Sequence, residues 1–214
     1  MHRRKFTLIL CIVSVIFIPL VPLAIAESMV LTETRVLTGT DDDAQLPFWE
    51  WQNNTMSIRL VQRLPDQTRA YFMARGFNKA HAERIAQSCV FQTIYKNIAK
   101  PGTRNVIEYD LAKWRVEYNG KSQTLKLREH WQQDWLKTDV AKKAQIAFQW
   151  SLLPTRQQYQ PQDYNWGMTS FGIPPATKFD LVMVWKHNGV EQTGRIDNME
   201  CAPDVHLDPK DPFG

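Results

Sequence analysis

The sequence lacks the short motifs that mark the common classes of catalytic site. It contains no G-x-S-x-G element, no glycine-rich phosphate loop and no H-E-x-x-H zinc motif. It also contains no internal repeat, coiled-coil heptad or low-complexity tract. These absences argue against an enzyme with a recognisable nucleophile or phosphate site. They leave open a hydrolase whose site is assembled only in three dimensions.

Cysteine is scarce, with three residues in 214. Cys11 lies in an apolar N-terminal segment, which leaves Cys89 and Cys201 in the rest of the chain. In an oxidising compartment an even pair predicts a disulfide, and closing so long a loop stabilises by about 4–5 kcal/mol in the chain-entropy model. The alternative is a two-thiolate metal site, but no second Cys or His lies at ligand spacing to either cysteine.

The N-terminus has the pattern of an export signal. Basic residues precede an apolar run from Phe6 to Ile25, which ends at the small-residue site Ala24–Ala26. We therefore expect cleavage before Glu27 and a periplasmic or secreted protein. The alternative is an uncleaved membrane anchor, because the run is long for a signal peptide. Two prolines near the end of the run favour cleavage.

Little net charge remains once that segment is set aside. The full chain carries 26 basic and 22 acidic residues, a net charge of +4. Removing Arg3, Arg4 and Lys5 with the signal leaves 23 basic and 22 acidic residues, a net charge of +1. The basic isoelectric point therefore belongs largely to the signal, and we expect no binding to nucleic acid.

The clearest structural prediction is a β-hairpin between Lys178 and Cys201. Large apolar side chains occupy every second position over Phe179–Trp185, which is the period of a strand with one face in a core. Asn188-Gly189 favours a two-residue type I′ turn. That turn fixes the register and places Met183 opposite Gly194.

The remaining segments predict an α+β fold with an antiparallel, sandwich-like sheet, short N-terminal and inserted helices and one disulfide. The predicted elements are a helical hairpin at 65–87, a strand at 89–97, an Asn-Gly hairpin at 114–127, a helix at 128–137 and a strand at 146–152. A helix over 140–152 is the alternative for the last element. The expected organisation is a signal peptide at 1–26, a flexible leader at 27–45, one domain at 46–202 and a loose tail at 203–214.

The long connection from Thr155 to Pro175 shows no regular pattern and is rich in aromatic residues. Its candidate binding residues are Tyr159, Tyr164, Trp166 and Phe171. Long loops in compact domains are usually functional or packed by their own side chains. These rings either present amphipathic faces to a protein partner or small ligand, or close one end of the sandwich.

Metal-binding and acid–base chemistry rest on scattered residues. The compact group Asp204, His206 and Asp208, together with Met168, supplies the candidate metal ligands, and copper suits His and Met. A solvated tail explains the group more simply. Asp180 and Asp197 are expected to face each other across the closing hairpin, as an acid–base pair or as exposed acids beside Arg195 and Lys178.

The sequence thus predicts an exported, non-catalytic binding or accessory module without a cofactor. It would recognise a protein partner or small ligand through the aromatic loop, and it would contact a membrane only if the signal segment stays uncleaved. A copper-handling protein is the alternative, and a hydrolase is the third hypothesis.

Overall fold

Two antiparallel sheets form the framework of residues 33–205, the part of the chain that the computed structural model describes. The whole chain divides into two units, Met1–Leu31 and Thr32–Gly214, and all described residues belong to the second. The described strands are β1 (Arg35–Thr40), β2 (Pro47–Gln52), β3 (Met56–Gln62), β4 (Val90–Asn97), β5 (Ile107–Asp110), β6 (Arg115–Tyr118), β7 (Lys121–Thr124), β8 (Arg156–Tyr159), β9 (Tyr164–Ser170), β10 (Lys178–His187) and β11 (Val190–Glu200). The described helices are α1 (Pro65–Met73), α2 (Lys79–Ala86), α3 (Arg128–Trp135) and α4 (Lys142–Ser151), with a 3₁₀ turn at Leu111–Lys113. None of these described helices has the length and apolar character needed to cross a membrane.

The first sheet has the strand order β1-β2-β3-β4-β9, and the second has the order β7-β6-β10-β5-β8 with β11 along the other edge of β10. Strand β10 organises the second sheet, because β11 follows one of its edges while β6 and β5 share the other at 180–182 and 185–187. All these pairings are antiparallel. The predicted α+β class with packed antiparallel sheets is confirmed.

Both predicted Asn-Gly hairpins are present. Strands β10 and β11 pair with Met183 opposite Gly194, as the turn predicts, and the two turn residues have φ angles of 51° and 81°. A Cβ atom on Gly194 would lie 3.0 Å from the Trp185 ring and 3.1 Å from the Trp51 ring, so glycine makes room for both indoles. Strands β6 and β7 form the second hairpin.

The main core lies between the inner faces of the two sheets. Apolar side chains at alternate positions fill it, including Ile58 and Leu60 of β3 and Leu181 and Met183 of β10, all fully buried. The predicted Cys89–Cys201 disulfide joins the residue before β4 to the residue after β11, with a Cα–Cα distance of 5.4 Å. The bridge therefore ties one sheet covalently to the other.

A second core lies between the four helices and part of the outer face of the first sheet. Val90 of β4 and Met168 of β9 contribute from the sheet. Aromatic rings from the helices and their flanks fill the rest, namely Phe72, Phe77, Trp131, Trp135 and Phe148. The helices cover only the end of this face that carries Val90 and Met168.

The predicted strand at 146–152 is wrong, and the alternative helix is present as α4. Ala144 and Phe148 are fully buried at a spacing of four residues, whereas Ile146 and Trp150 are exposed. The apolar residues at 146, 148, 150 and 152 fit a period of two, but burial follows the helical period. The segment 146–152 therefore contributes no side chain to the core between the sheets. Leu152 joins the helical core and forms an isolated bridge with Met168.

The prediction of an irregular connection over 155–175 is also wrong. The segment contains β8, which pairs with β5, and β9, which pairs with β4 along its whole length. The paired residues of β5 and β4 lie 46 to 80 positions earlier in the chain. Such non-local pairing leaves no local turn signature for a sequence argument to use.

The predicted leader at 27–45 contains an ordered strand. Residues 35–40 form β1, which pairs with β2 from Arg35 opposite Gln52 to Thr40 opposite Pro47. All six side chains of β1 are exposed, which explains why a composition poor in large apolar residues resembled a linker. The signal segment 1–26 lies outside the described residues.

Candidate functional site

The four aromatic residues of the predicted loop occupy two different environments. Tyr159 and Phe171 are 2% and 0% exposed, whereas Tyr164 and Trp166 are 64% and 65% exposed. The segment therefore supplies two rings to the core and two rings to the surface.

Tyr159 and Phe171 pack between the sheets. The ring of Tyr159 stacks on that of Tyr95 at a centroid distance of 5.2 Å, and burial raises the pKa of Tyr159 to about 12. The ring of Phe171 lies 5.2 Å from that of Phe91 and 5.0 Å from that of Phe179. These two residues fit the alternative interpretation, in which the rings close the sandwich.

Tyr164 and Trp166 lie on the uncovered end of the outer face of the first sheet. Successive side chains of a strand alternate between faces, so these two rings share the face of Met168. Met168 is buried beneath the helices, but the helices stop short of Trp166. In the register with β4, Trp166 lies opposite Ile94 and Tyr164 lies opposite Lys96. We call Ile94, Tyr164 and Trp166 the aromatic face.

The backbone of β9 is held firmly beneath these rings. It pairs with β4 on one side, and on the other side the Leu153 N–H donates to the Met168 carbonyl at 2.9 Å. A Cβ atom on Gly167 would lie 2.5 Å from the Leu153 nitrogen, so only glycine permits this close approach. The Trp166 N–H donates to the Asn165 side-chain oxygen at 2.8 Å. The side chains of Tyr164 and Trp166 therefore extend from a strand whose backbone is fixed by hydrogen bonds on both sides.

A further exposed ring lies on α4. Trp150 is 86% exposed, and Ile146, one helical turn earlier, is 49% exposed. The helix ends at Ser151, directly before the Leu152 bridge to Met168, which brings its last turn to the same side of the sheet. The alternation of apolar residues favours a strand here and does not single out this pair. The spacing of four residues within the alternative helix was the signal that could have found it.

The charged groups beside the aromatic face are largely compensated. Arg59 lies opposite Ile94 in β3, pairs with Asp41 at 2.8 Å and Glu50 at 3.1 Å, and stacks on the Phe48 ring. The hydrogen bond from the Ala44 N–H and the Arg59 guanidinium lower the pKa of Asp41. Lys96 has no ion pair within residues 33–205 and is exposed. The surface thus combines two bare rings with one free positive charge.

The candidate metal ligands do not converge in the described part of the chain. Met168 is buried in the helical core. Asp204 accepts hydrogen bonds from Arg69 at 2.5 Å and Gln87 at 2.6 Å, so this part of the predicted tail is held to α1 and the end of α2. Residues 33–205 contain no cluster of three or more His, Cys, Asp or Glu placed to hold a metal ion. His206 and Asp208 lie outside the described residues.

The acids of the closing hairpin form an ion-pair cluster. Arg195 donates to Glu117 at 2.6 Å and to Asp180 at 2.5 Å, and it also donates to Asp197. The hydrogen bonds to Glu117 and Asp197 raise the pKa of Arg195, so the guanidinium stays charged. Arg195 therefore bridges the carboxylates of Asp180 and Asp197, which fits the alternative of acids placed beside Arg195 at the end of the hairpin.

A surface depression of about 460 Å³ lies on the outer face of the second sheet. Val184 contributes to its lining, and charged side chains surround it. Four of those charges already pair across the depression, Lys113 with Glu191 at 2.5 Å and Arg156 with Asp110 at 2.8 Å. These two ion pairs satisfy four of the charges, while Glu108 and Lys186 also line the depression.

Comparison of the chain with protein-family models, curated proteins and solved structures finds no match. The function must therefore be argued from the surface itself. Core packing does not explain the aromatic face. Tyr164 and Trp166 remain exposed, whereas Met168, the next residue on the same face of β9, is buried.

Proposed function

We propose that this protein is an exported, non-catalytic accessory module that binds a partner protein through the aromatic face. The observation that carries the proposal is the exposure of Tyr164 and Trp166, 64% and 65%, on one face of a fixed strand. Isolated exposed apolar side chains are ordinary, but adjacent large rings on one face are typical of interaction sites.

Rings held in this way lose little conformational freedom on binding. Tyr and Trp have only two side-chain torsions and large apolar areas, and they are enriched among residues that dominate interface energies. The backbone beneath them is already ordered by the pairing with β4 and by the Leu153 contact. Little ordering entropy therefore opposes association at this position.

The shape of the aromatic face favours a protein over a small molecule. Small ligands are usually enclosed in concave pockets, whereas the aromatic face is part of an open sheet surface. Lys96, across from Tyr164, adds a positive charge at its margin. A partner with an apolar patch bordered by acidic residues would complement it.

Export is supported by the pattern of the N-terminal sequence and by the Cys89–Cys201 bridge. Disulfides persist in oxidising compartments and are rare in the cytosol. The proposed module would therefore act in the periplasm or outside the cell, with the rings on the outer face of its first sheet.

Site-specific photo-crosslinking tests the proposal. A photoreactive amino acid replaces Lys96 in the native chain, produced in the cells that normally export it, and the same replacement at Lys121 serves as the control. Both positions are exposed, but Lys121 begins β7 in the second sheet, on the other side of the sandwich. We expect a discrete adduct from position 96 and none from position 121.

A double variant, Tyr164→Ala with Trp166→Ala, connects the adduct to the rings. We expect it to abolish crosslinking from position 96 while the melting temperature changes little, since substitutions on exposed surfaces usually alter stability by about 0.5 kcal/mol or less. An adduct that survives the loss of both rings would contradict the proposal. Unfolding of the double variant would instead make the rings structural.

A further inference from the structure

Within residues 33–205, the outer edge of β1 carries backbone groups that no other strand pairs with. The Asp41 N–H donates to the Leu46 carbonyl at 2.9 Å where the chain turns from β1 to β2. Hydrogen-bonded pairs recur at every second residue of an antiparallel ladder, so the odd-numbered residues of β1 bond to β2. The N–H and C=O groups of Val36, Thr38 and Thr40 therefore point away from the sheet.

The opposite edge of the first sheet is protected. Along β9, the Met168 carbonyl accepts from Leu153 at 2.9 Å, and the Ser170 carbonyl accepts from Lys126 at 3.1 Å. The Trp166 N–H is occupied by the neighbouring Asn165 side chain. Little backbone on this edge is left for another strand.

The edges of the second sheet within residues 33–205 are protected by length or charge. Strands β7 and β8 have four residues each and carry Lys121 and Arg156. The side chains of β11 include the charged residues Glu191, Arg195 and Asp197. Short strands and charged side chains are the usual means by which proteins discourage edge-to-edge pairing.

Strand β1 is protected neither by short length nor by charged side chains along the strand. It is six residues long, contains no proline, and has no charged residue after Arg35. Val36 and Leu37 are 45% and 43% exposed, one on each face. Among the edges of the described strands, it is the one suited to accept another strand along its length.

We infer that β1 pairs with β1 of a second copy of this chain, antiparallel and centred on Thr38. In this register the free backbone groups of the two strands face each other. Thr38 lies opposite Thr38 of the second copy, and Val36 lies opposite Thr40. The register also places Leu37 opposite Gly39, beside the Phe48 ring that packs over this glycine. It places Arg35 opposite Asp41, which pairs with Arg59 of its own copy at 2.8 Å. Both strand ends thus bring opposite charges together, and no like charges face each other within the paired strands.

The result is a two-fold symmetric dimer with one continuous ten-stranded sheet. A pair of antiparallel strands is related by an axis perpendicular to the sheet, so the interface uses the same surface of both copies. One strand pair buries less than the roughly 1,600 Å² of a standard interface. We therefore expect a reversible dimer whose fraction rises with concentration in the micromolar range.

Sedimentation velocity over a range of concentrations tests the inference. Thr38→Pro removes an outward N–H without removing a bond to β2, and Thr38→Val keeps that N–H as the matched control. We expect the parent protein and Thr38→Val to dimerise and Thr38→Pro to remain monomeric. A parent protein that is monomeric at every concentration, or a Thr38→Pro variant that still dimerises, overturns the proposal.

A cysteine pair tests the register and decides the matter if Thr38→Pro does not fold. In the proposed dimer the two copies of residue 38 are direct neighbours, at a Cα separation of about 5.5 Å that a disulfide can span. Thr38→Cys should therefore oxidise to a covalent dimer, and Leu37→Cys should not, because its neighbour is Gly39. Equal crosslinking of both variants, or of neither, contradicts the register.

Discussion

Tyr159 shows how burial gives a side chain a measurable pH response. Its ring lies 5.2 Å from that of Tyr95 and 5.8 Å from that of Tyr109. Burial in this environment raises the pKa of Tyr159 from 10.0 to about 12. Desolvation of the phenolate is the main cause.

The free energy of unfolding should fall between pH 10 and pH 12. Over that range the unfolded chain loses the Tyr159 proton while the folded chain keeps it, so the unfolded state binds fewer protons and gains stability as pH rises. Below pH 10 the contribution is complete. Tyr159→Phe should make this decline less steep, as measured by urea unfolding across the range. It should not remove the decline, because burial also raises the pKa of Tyr95 and of Tyr109. The variant should change stability little at neutral pH. Parallel pH curves for parent and variant would contradict the assignment.

Exposure of individual residues was only partly predictable. The alternation along 179–185 predicts the buried side of β10 correctly, because the turn at 188–189 fixes its register locally. Nothing local distinguishes Tyr159 from Tyr164, since their burial depends on pairing with distant strands and on where the helices stop. The aromatic residues could be named as candidates from the sequence, but not sorted into core and surface.

At the scale of elements, the burial pattern of α4 distinguishes a strand period from a helical period, both of which the sequence allowed. A half-buried strand would place residues 146, 148 and 150 on one buried face, whereas the helix buries only Phe148 of these three. Phe148 contacts the rings of Phe72 and Trp131 at centroid distances of 5.2 and 5.6 Å. In the helix, Phe148 therefore contributes more to the free energy of unfolding than Ile146 or Trp150 does.

Phe148→Ala should lower the free energy of unfolding by about 3–5 kcal/mol, because it leaves a cavity among packed rings. Trp150→Ala, its matched control on the exposed side of the same helix, should change it by about 0.5 kcal/mol or less. Denaturant unfolding of both variants measures the difference. Similar losses at both positions would contradict the helical arrangement.

Elements with a local signature were predictable, and elements without one were not. Proline at the start of α1, the Asn78 cap of α2 and the two Asn-Gly turns each encode their structure within a few residues. Strands β1 and β9 have no such signal and form because β2 and β4 offer edges to them. Both proposed interaction surfaces lie on these two strands, at opposite edges of the same sheet.

At the scale of the whole molecule, the proposed dimer would present two aromatic faces in one direction. The two-fold axis runs perpendicular to the joined sheet, so the outer faces of both copies lie on the same side. Each β9 is the outermost strand of ten, which separates the two faces by nine strand spacings, or roughly 40 Å. A partner arrayed on a surface could then be bound at two points, which slows dissociation without any new contact.

This bivalence predicts a dependence on partner density. The partner identified by crosslinking from position 96 is immobilised densely and sparsely, and dissociation of the covalent Thr38→Cys dimer is compared with that of the monomeric Thr38→Pro variant. We expect the dimer to dissociate at least tenfold more slowly from the dense surface and equally fast from the sparse one, since only neighbouring partners permit two-point binding. Equal rates on the dense surface would mean that the two faces cannot engage together, even if each binds alone.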